Sequence, residues 1–242
     1  AVFHRVDPSR SGAVLLDLVS GYQGLVVTEG FQGYQGLTRD GPGIRLAHCW
    51  AHVRRKFAEI EPHYPQSAAK ALELIGKLYE VEAGLPNLAS LDGDERDAAL
   101  ALRSAARAAR SRPLTEELLQ WAFAQRGTPA SGLRKAVDYM LTLWSGLTLF
   151  LDEPVVPLDN NHVERQLRGV VLGRKNHYGS RSRRGTEVAA LFYSLIDTAR
   201  LHGVDPRLYL REAALAGLKR PAVIVLPHEL HGPGVTANAQ NY

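Results

Sequence analysis

The feature that most constrains this 242-residue chain is a change of texture between two flanking regions. From about 63 to 150 the sequence is dominated by Ala, Leu, Glu and Arg, and strand signals vanish. Punctuation there falls at Gly84-Leu85-Pro86, Asp92-Gly93, Arg112-Pro113 and Gly127-Thr128-Pro129. Thr115-Glu116-Glu117 after Pro113 is a good helix start. The stretch therefore reads as an all-helical block of about four helices. Before and after it, short β-rich runs alternate with helical periodicity, which implies a mostly parallel or mixed sheet. A helical block set inside an α/β sequence is an insertion into a sheet domain.

The first sixty residues carry the sheet signals. Residues 1–6 (AVFHRV) are a candidate strand, closed by the turn-like Asp7-Pro8-Ser9. The chain begins in mid-strand, so it is expected to be a fragment of a longer fold. Residues 12–20 suit a short buried helix or a strand. Residues 24–28 (GLVVT) form a compact β run ending at Glu29-Gly30, and 44–48 (IRLAH) form another. Residues 50–60 (WAHVRRKFAEI) turn helical, with Val53, Phe57 and Ile60 on one face.

After Pro154 the pattern returns. Asp159 or Asn160 caps a helix carrying Glu164, Leu167 and Arg168. Residues 169–178 read as a turn and short strand, and 185–202 as an amphipathic helix closed by Gly203. Asp205-Pro206 starts a last helix to about Leu215. The Pro-, Gly- and Asn-rich sequence past Arg220 reads as a loosely held tail. The expected divisions are 1–62 and 151–203 for the core, 63–150 for the insertion, 204–218 for a helical extension and 219–242 for the tail.

Charge is concentrated. Between 165 and 184 lie seven Arg and Lys with no Asp or Glu: Arg165, Arg168, Arg174, Lys175, Arg181, Arg183 and Arg184. Without those seven, 22 of the 29 basic residues remain against 25 acids, so the whole positive excess of a +4 chain sits in this segment. A local basic field next to one carboxylate, Glu164, suits a protein that grips a phosphate backbone. Gly173, Gly179, Ser180, Ser182 and Gly185 interleave the cations with small residues that let backbone amides approach an anion. His177 or Tyr178 can stack on a base. Arg54-Arg55-Lys56 tracks phosphates or merely solvates a helix face. Arg103, Arg107 and Arg110 form a basic stripe on one inserted helix, either a solvated face or a surface for a partner.

Other features exclude classes. One cysteine, Cys49, leaves no internal disulfide framework. Cys49 and His52 have the spacing of a metal pair, but a structural zinc wants four ligands. Cys49 is expected in the core and His52 in a bracing polar contact. The longest apolar run, 139–151, is too short and too polar to span a bilayer. No membrane association is expected, and the location is expected to be cytoplasmic.

Four segments then carry a resemblance: GLVVTEGFQGYQGL (24–37), AHCWAHVRRKF (47–57), LDNNHVERQLRGVVLGRKNHYGS (158–180) and FYSLIDTARLHGVDPRLYL (192–210). In this order they resemble the C-terminal portion of insertion-sequence transposases of the IS-sixty-six family. The resemblance implies an RNase H-like core split by a helical insertion, with three carboxylates holding two magnesium or manganese ions. It also implies DNA partners, both transposon ends and target, and a homo-oligomer. Its reaction is DNA cleavage followed by joining of a 3′-hydroxyl. Two-metal displacement at phosphorus favours such clustered carboxylates on general grounds.

The resemblance places the family's last acid at Glu164 and its middle aspartate at position 29, where this chain has Glu29. Its opening aspartate lies upstream of Ala1, and Asp7 sits in a turn after a different strand. Glutamate's extra methylene moves the carboxylate by about an ångström against a tolerance of roughly 0.5 Å. Glu29 and Glu164 are therefore the expected catalytic and metal-binding residues, while the isolated chain is expected neither to bind the ion tightly nor to cut DNA. Two alternatives stand beside this reading: a non-catalytic DNA-binding or oligomerisation remnant, and another RNase H-like nuclease.

Overall fold

The computed structural model describes all residues except 10, 31, 41–42, 126–127, 177–179, 181 and 230–242, with backbone only at 32, 35, 39, 40 and 228. The chain is mostly helical, with one small parallel sheet, and separates into two compact units. One comprises Ser9–Asn161, the other Ala1–Pro8 with His162–Tyr242.

The 9–161 unit opens with α1 (Gly12–Leu18) and β1 (Gly24–Thr28). A 3-10 turn (Gln32–Tyr34) and α2 (Gln35–Asp40) lead into β2 (Ile44–His48). The strands pair in parallel from Gly24↔Ile44 to Thr28↔His48. Parallel neighbours need a crossover, and α2 lies within it. Leu25, Val27 and Ala47 face the main core, which period-2 alternation demands of one face of the pair. α1 is a helix, as one of the two readings had it, but none of its residues is fully buried.

Five helices follow in the described part of the block: α4 (Pro65–Ala83), α5 (Gly93–Ala106), α6 (Arg112–Ala124), α7 (Gly132–Thr142) and the short α8 (Trp144–Thr148). α3 (Trp50–Ile60) precedes them and packs on α4 and α7. Among the described residues, 65–150 contain no strand, in line with the helical composition. Trp50 and Phe57 are wholly buried in α3, each contributing about 1.5–3 kcal/mol on area grounds. Trp50 Nε1 donates to the Leu147 carbonyl at 2.8 Å, so its polar edge is satisfied as well.

The expected basic stripe is corrected here. α5 runs into a π-helical turn, Arg107–Ser111, and Arg107 is wholly buried. Its Nε and Nη2 donate to the two Glu82 oxygens at 2.7 and 2.8 Å, and Nη1 donates to the Phe150 carbonyl at 2.8 Å. Arg103 donates to the Pro86 carbonyl at 2.9 Å, leaving Arg110 as the exposed member of the three. Helical spacing alone put Arg107 on a surface; the π turn and Glu82 on α4 draw it inward.

In the other unit, α9 (Asn161–Asn176), α10 (Arg183–Leu201) and α11 (Pro206–Lys219) follow one another. Asp159 accepts the Asn161 amide at 3.0 Å, and Ser182 caps α10 by accepting the Gly185 amide at 3.0 Å. The turn and strand expected over 169–178 are not formed as far as the description reaches. α9 continues through Asn176, since Gly169 and Gly173 lower helix propensity by only about 1 kcal/mol each.

Residues 1–6 likewise form no strand. Val2 donates its amide to Thr198 Oγ1 at 3.0 Å and His4 to Ser194 Oγ at 2.8 Å, so hydroxyls of α10 take the bonds a sheet neighbour would offer. His4 Nε2 also meets the buried Asp197 at 2.9 Å. Before residue 230 the tail is tied down: Tyr209 Oη donates to the Val225 carbonyl at 3.0 Å, and Pro227–Glu229 makes a 3-10 turn.

Candidate metal and nucleic-acid sites

Glu29 stands one residue past the carboxyl end of β1, where open parallel sheets place their functional groups. Its peptide is held from two sides. Its carbonyl accepts the Tyr139 hydroxyl at 3.0 Å, and the next residue, Gly30, adopts φ +84. A Cβ on Gly30 would lie 2.5 Å from Leu143 Cδ1, so only glycine fits this turn. The Glu29 carboxylate itself is half exposed and sits 3.7 Å from His52 Nε2. His52 thus contacts the end of β1, where the expectation was a polar contact bracing the inserted helices.

Cys49 precedes α3 and is buried, also as expected. Its amide donates to the Thr28 carbonyl at 3.1 Å, joining the ends of the two strands. Burial pushes its thiol above the ordinary value, outweighing amide hydrogen bonds from Asn160, His52 and Ala51 that favour the thiolate. Cys49 is therefore a thiol packed in the core.

Next to Glu29, one face of β2 forms the floor of a hollow of about 360 Å³ between α2 and the α7–α8 corner. Gly30 and His48 line it. His48 Nδ1 lies 3.0 Å from Thr28 Oγ1, and that oxygen also accepts the Gly30 amide at 3.4 Å. The Thr28 hydroxyl, with one hydrogen and two lone pairs, can thus meet the His48 ring and the Gly30 amide together. Burial lowers the His48 pKa and keeps the ring neutral. Gly146 on α8 makes this approach feasible, because a Cβ there would come within 2.8 Å of the Leu46 carbonyl. Neither the hollow nor Tyr139 was legible in the sequence; the Gly146 break in an apolar run was the only hint.

In the second unit, Glu164 occupies the first turn of α9, where the helix dipole favours a carboxylate. At 100° per residue, Glu164, Arg165, Arg168 and Lys175 fall within an arc of about 100°. Arg174 lies about 80° from Glu164 on its other flank. Arg165, Arg168, Arg174, Lys175, Arg183 and Arg184 are all exposed, and Arg183 pairs with Glu187 at 2.9 Å. Arg181, His177 and Tyr178 lie outside the described residues. The Arg54-Arg55-Lys56 run is exposed on α3, with Lys56 bonded to Glu59 at 3.2 Å.

Magnesium prefers a shell of oxygen donors. Glu29 has the His52 imidazole beside its carboxylate, and within neither unit, among the described residues, do three carboxylates gather at one point. Taken singly, the units do not supply the donor set of a two-ion site.

The sequence model of the Transposase IS66 family matches residues 1–188, and the chain belongs to that family. It is similar to three proteins of Sinorhizobium fredii (strain NBRC 101917 / NGR234), all named as uncharacterized. It is 31% identical to y4hP over 232 residues, covering 88% of this chain and 40% of that protein. It is 31% identical to y4jD (88% and 41%) and 27% identical to y4qI (87% and 39%). The chain thus spans about two-fifths of the length of the curated relatives it matches. No solved structure matches it. Among the described residues, no helix is long and apolar enough to cross a membrane.

Proposed function

We propose that this chain forms part of a DDE-type transposase acting on an insertion sequence, and that its sheet and helices belong to an RNase H-like core split by the helical block. Glu29 in one unit and Glu164 in the other are the carboxylates we assign to divalent-ion binding. A bound ion pair there would polarise the scissile phosphate. The chain's own part is to hold the Glu29 peptide through Tyr139 and Gly30, and to present cations along α9 and the start of α10 to the DNA backbone. By itself the chain does not cleave DNA.

The observation that carries this reading is the α9 arc, which sets Glu164 among Arg165, Arg168 and Lys175 in a member of a transposase family. Each phosphate contact contributes about 0.9 to the slope of log K against log salt on duplex DNA. Replacing Arg165, Arg168 and Lys175 together with Gln should therefore flatten the slope by about 2–3. An unchanged slope would remove α9 from the DNA footprint. Magnesium-dependent nicking of supercoiled DNA by the wild-type chain, lost in Glu164→Gln, would overturn the inactivity while keeping the site.

A non-catalytic DNA-binding role is the second reading. The contact between Glu29 and His52 favours it, because that carboxylate already has a nitrogen neighbour in place of a second acid.

A further inference from the structure

The cations of α3 and α7 are not used by anything proposed above, and three of them stand free. Elsewhere in the 9–161 unit the described cations are largely engaged. Lys70, Lys77 and Arg112, for example, meet the carboxylates of Glu117, Glu73 and Asp152. On α3 and α7 each helix carries one acid, and a cation of the same helix neutralises it. Lys56 meets Glu59 at 3.2 Å, and Arg134 meets Asp138 at 2.8 Å. Arg54, Arg55 and Lys135 are left over. All three are exposed, with no hydrogen bond or ion pair among the described residues. The two packed helices thus hold five cations against two acids, a surplus of +3.

That surplus lies beside Glu29. Lys135 stands one turn before Tyr139 on the same flank of α7, and the Tyr139 hydroxyl holds the Glu29 carbonyl. Burial foremost, and with it the Glu29 carboxylate, pushes that hydroxyl above its ordinary value, while the Arg55 guanidinium opposes the shift. Arg55 and Glu29 are therefore both within electrostatic reach of one oxygen. Arg55 also follows His52 by three positions on α3, and the His52 ring meets the Glu29 carboxylate. Arg54 adjoins it, about 100° round the helix. Arg110 is likewise free, but its π turn packs on α4, α5 and α6 instead.

Like charges left together repel one another, and a polyanion laid across them removes that repulsion. Guanidinium groups match phosphate oxygens closely, through paired N–H donors. A lone carboxylate at this edge would repel a phosphate, whereas flanking cations offset it.

We infer that α3 and α7 form a second phosphate-gripping ledge, on which Arg54, Arg55 and Lys135 hold the DNA backbone as it passes Glu29. DNA as the polyanion rests on the function proposed above; the ledge lies in the 9–161 unit and owes nothing to α9.

The test follows duplex binding by fluorescence anisotropy across a range of NaCl. Replacing Arg54, Arg55 and Lys135 together with Gln should flatten the slope of log K against log salt by about 2–3, at about 0.9 per phosphate. Replacing Lys70, Lys77 and Arg112 with Gln removes the same charge from paired positions, and should change the slope by less than about 1. Equal flattening by both triple variants, or none by the first, would overturn the inference. The ledge residues are exposed, so the urea midpoint should hold. If it falls, the three single variants decide, each flattening the slope by about 0.9.

Position has its own assay. The chain's one cysteine, Cys49, is buried, so Glu29→Cys adds a thiol at a half-exposed site. A duplex with a disulfide tethered to its backbone should capture that variant and not the wild type, and the ledge substitutions should abolish the capture. Bound DNA without capture would refute the placement at Glu29. Displacement by polyglutamate as readily as by unlabelled DNA would make an acidic protein the partner and end the DNA assignment. The α9 triple-Gln variant keeps the two proposals apart. If its slope is unchanged while that of the ledge variant falls, the α9 footprint fails and the ledge stands; the reverse result removes the ledge alone.

Discussion

Glu82→Ala should destabilise the 9–161 unit by about 3–5 kcal/mol, the cost of leaving a buried guanidinium without its counter-charge. Arg107 has 0% of its side chain exposed and Glu82 only 16%, so water cannot replace the lost carboxylate. The guanidinium would keep its Nη1 contacts to the carbonyls of Phe150, Glu153 and Pro154 at 2.8, 3.3 and 3.4 Å, and its place 5.1 Å from the Phe150 ring centre. Those dipoles moderate the penalty without cancelling a whole charge.

Removing both partners, in Glu82→Leu with Arg107→Met, should recover only part of the loss. The Phe150 carbonyl would be left buried without a donor, at about 1–3 kcal/mol. An internal control is Asp138→Ala, which breaks a half-exposed pair with Arg134 and should cost no more than about 0.5 kcal/mol. Urea unfolding read by tryptophan fluorescence isolates the effect, because Trp50, Trp121 and Trp144 all lie in this unit and the chain has three tryptophans. A loss below about 1 kcal/mol for Glu82→Ala would refute the buried-charge reasoning.

Two further outcomes follow from the edge of the sheet. Gly30→Ala forces a side chain onto φ +84 and into Leu143, and should cost about 1–3 kcal/mol in the same assay; adding Leu143→Ala should not restore stability, since the backbone strain persists and a cavity replaces the clash. His48 is kept neutral by burial, so below its ordinary 6.5 the unfolded chain binds a proton that the folded one resists. Stability should therefore fall as pH drops from about 6.5 toward the lowered native value. His48→Gln should flatten that decline in denaturation midpoints taken between pH 7.5 and 5, and equal slopes for the two proteins would reject the assignment.

The elements legible in the sequence were those whose signals are local. β1, β2 and α3 coincide with the apolar runs at 24–28, 44–48 and 50–60, because alternation and helical period act within a few residues. α10 starts two residues earlier than its periodicity, since the stop-and-start signal was the Ser182 cap rather than Gly185. Where long-range partners decide, the reading failed. Residues 1–6 have strand composition but bond to Ser194 and Thr198, nearly two hundred positions away. Arg107 looked like surface until Glu82 supplied a reason for burial. Glu29 and Glu164 were singled out by family resemblance and the basic cluster by composition. Tyr139, Gly146 and the hollow depend on contacts across a hundred residues and carry no local signature.

The helical block is more than a spacer between β2 and α9. α7 supplies the Tyr139 hydroxyl that fixes the Glu29 carbonyl, Leu143 closes over Gly30, and α8 brings Gly146 against β2. A two-stranded sheet is marginal alone, so these contacts hold the strand ends in place. Arg107 extends the same logic: from its π turn it binds the carbonyls of 150, 153 and 154, and the chain leaving that clamp reaches Leu158, whose carbonyl accepts the Trp50 amide at 3.1 Å. The block therefore positions both the residue at the end of β1 and the segment that runs up to α9. Shortening it would release the Glu29 turn before it disturbed any strand, which is the opposite of what a passive insertion would do.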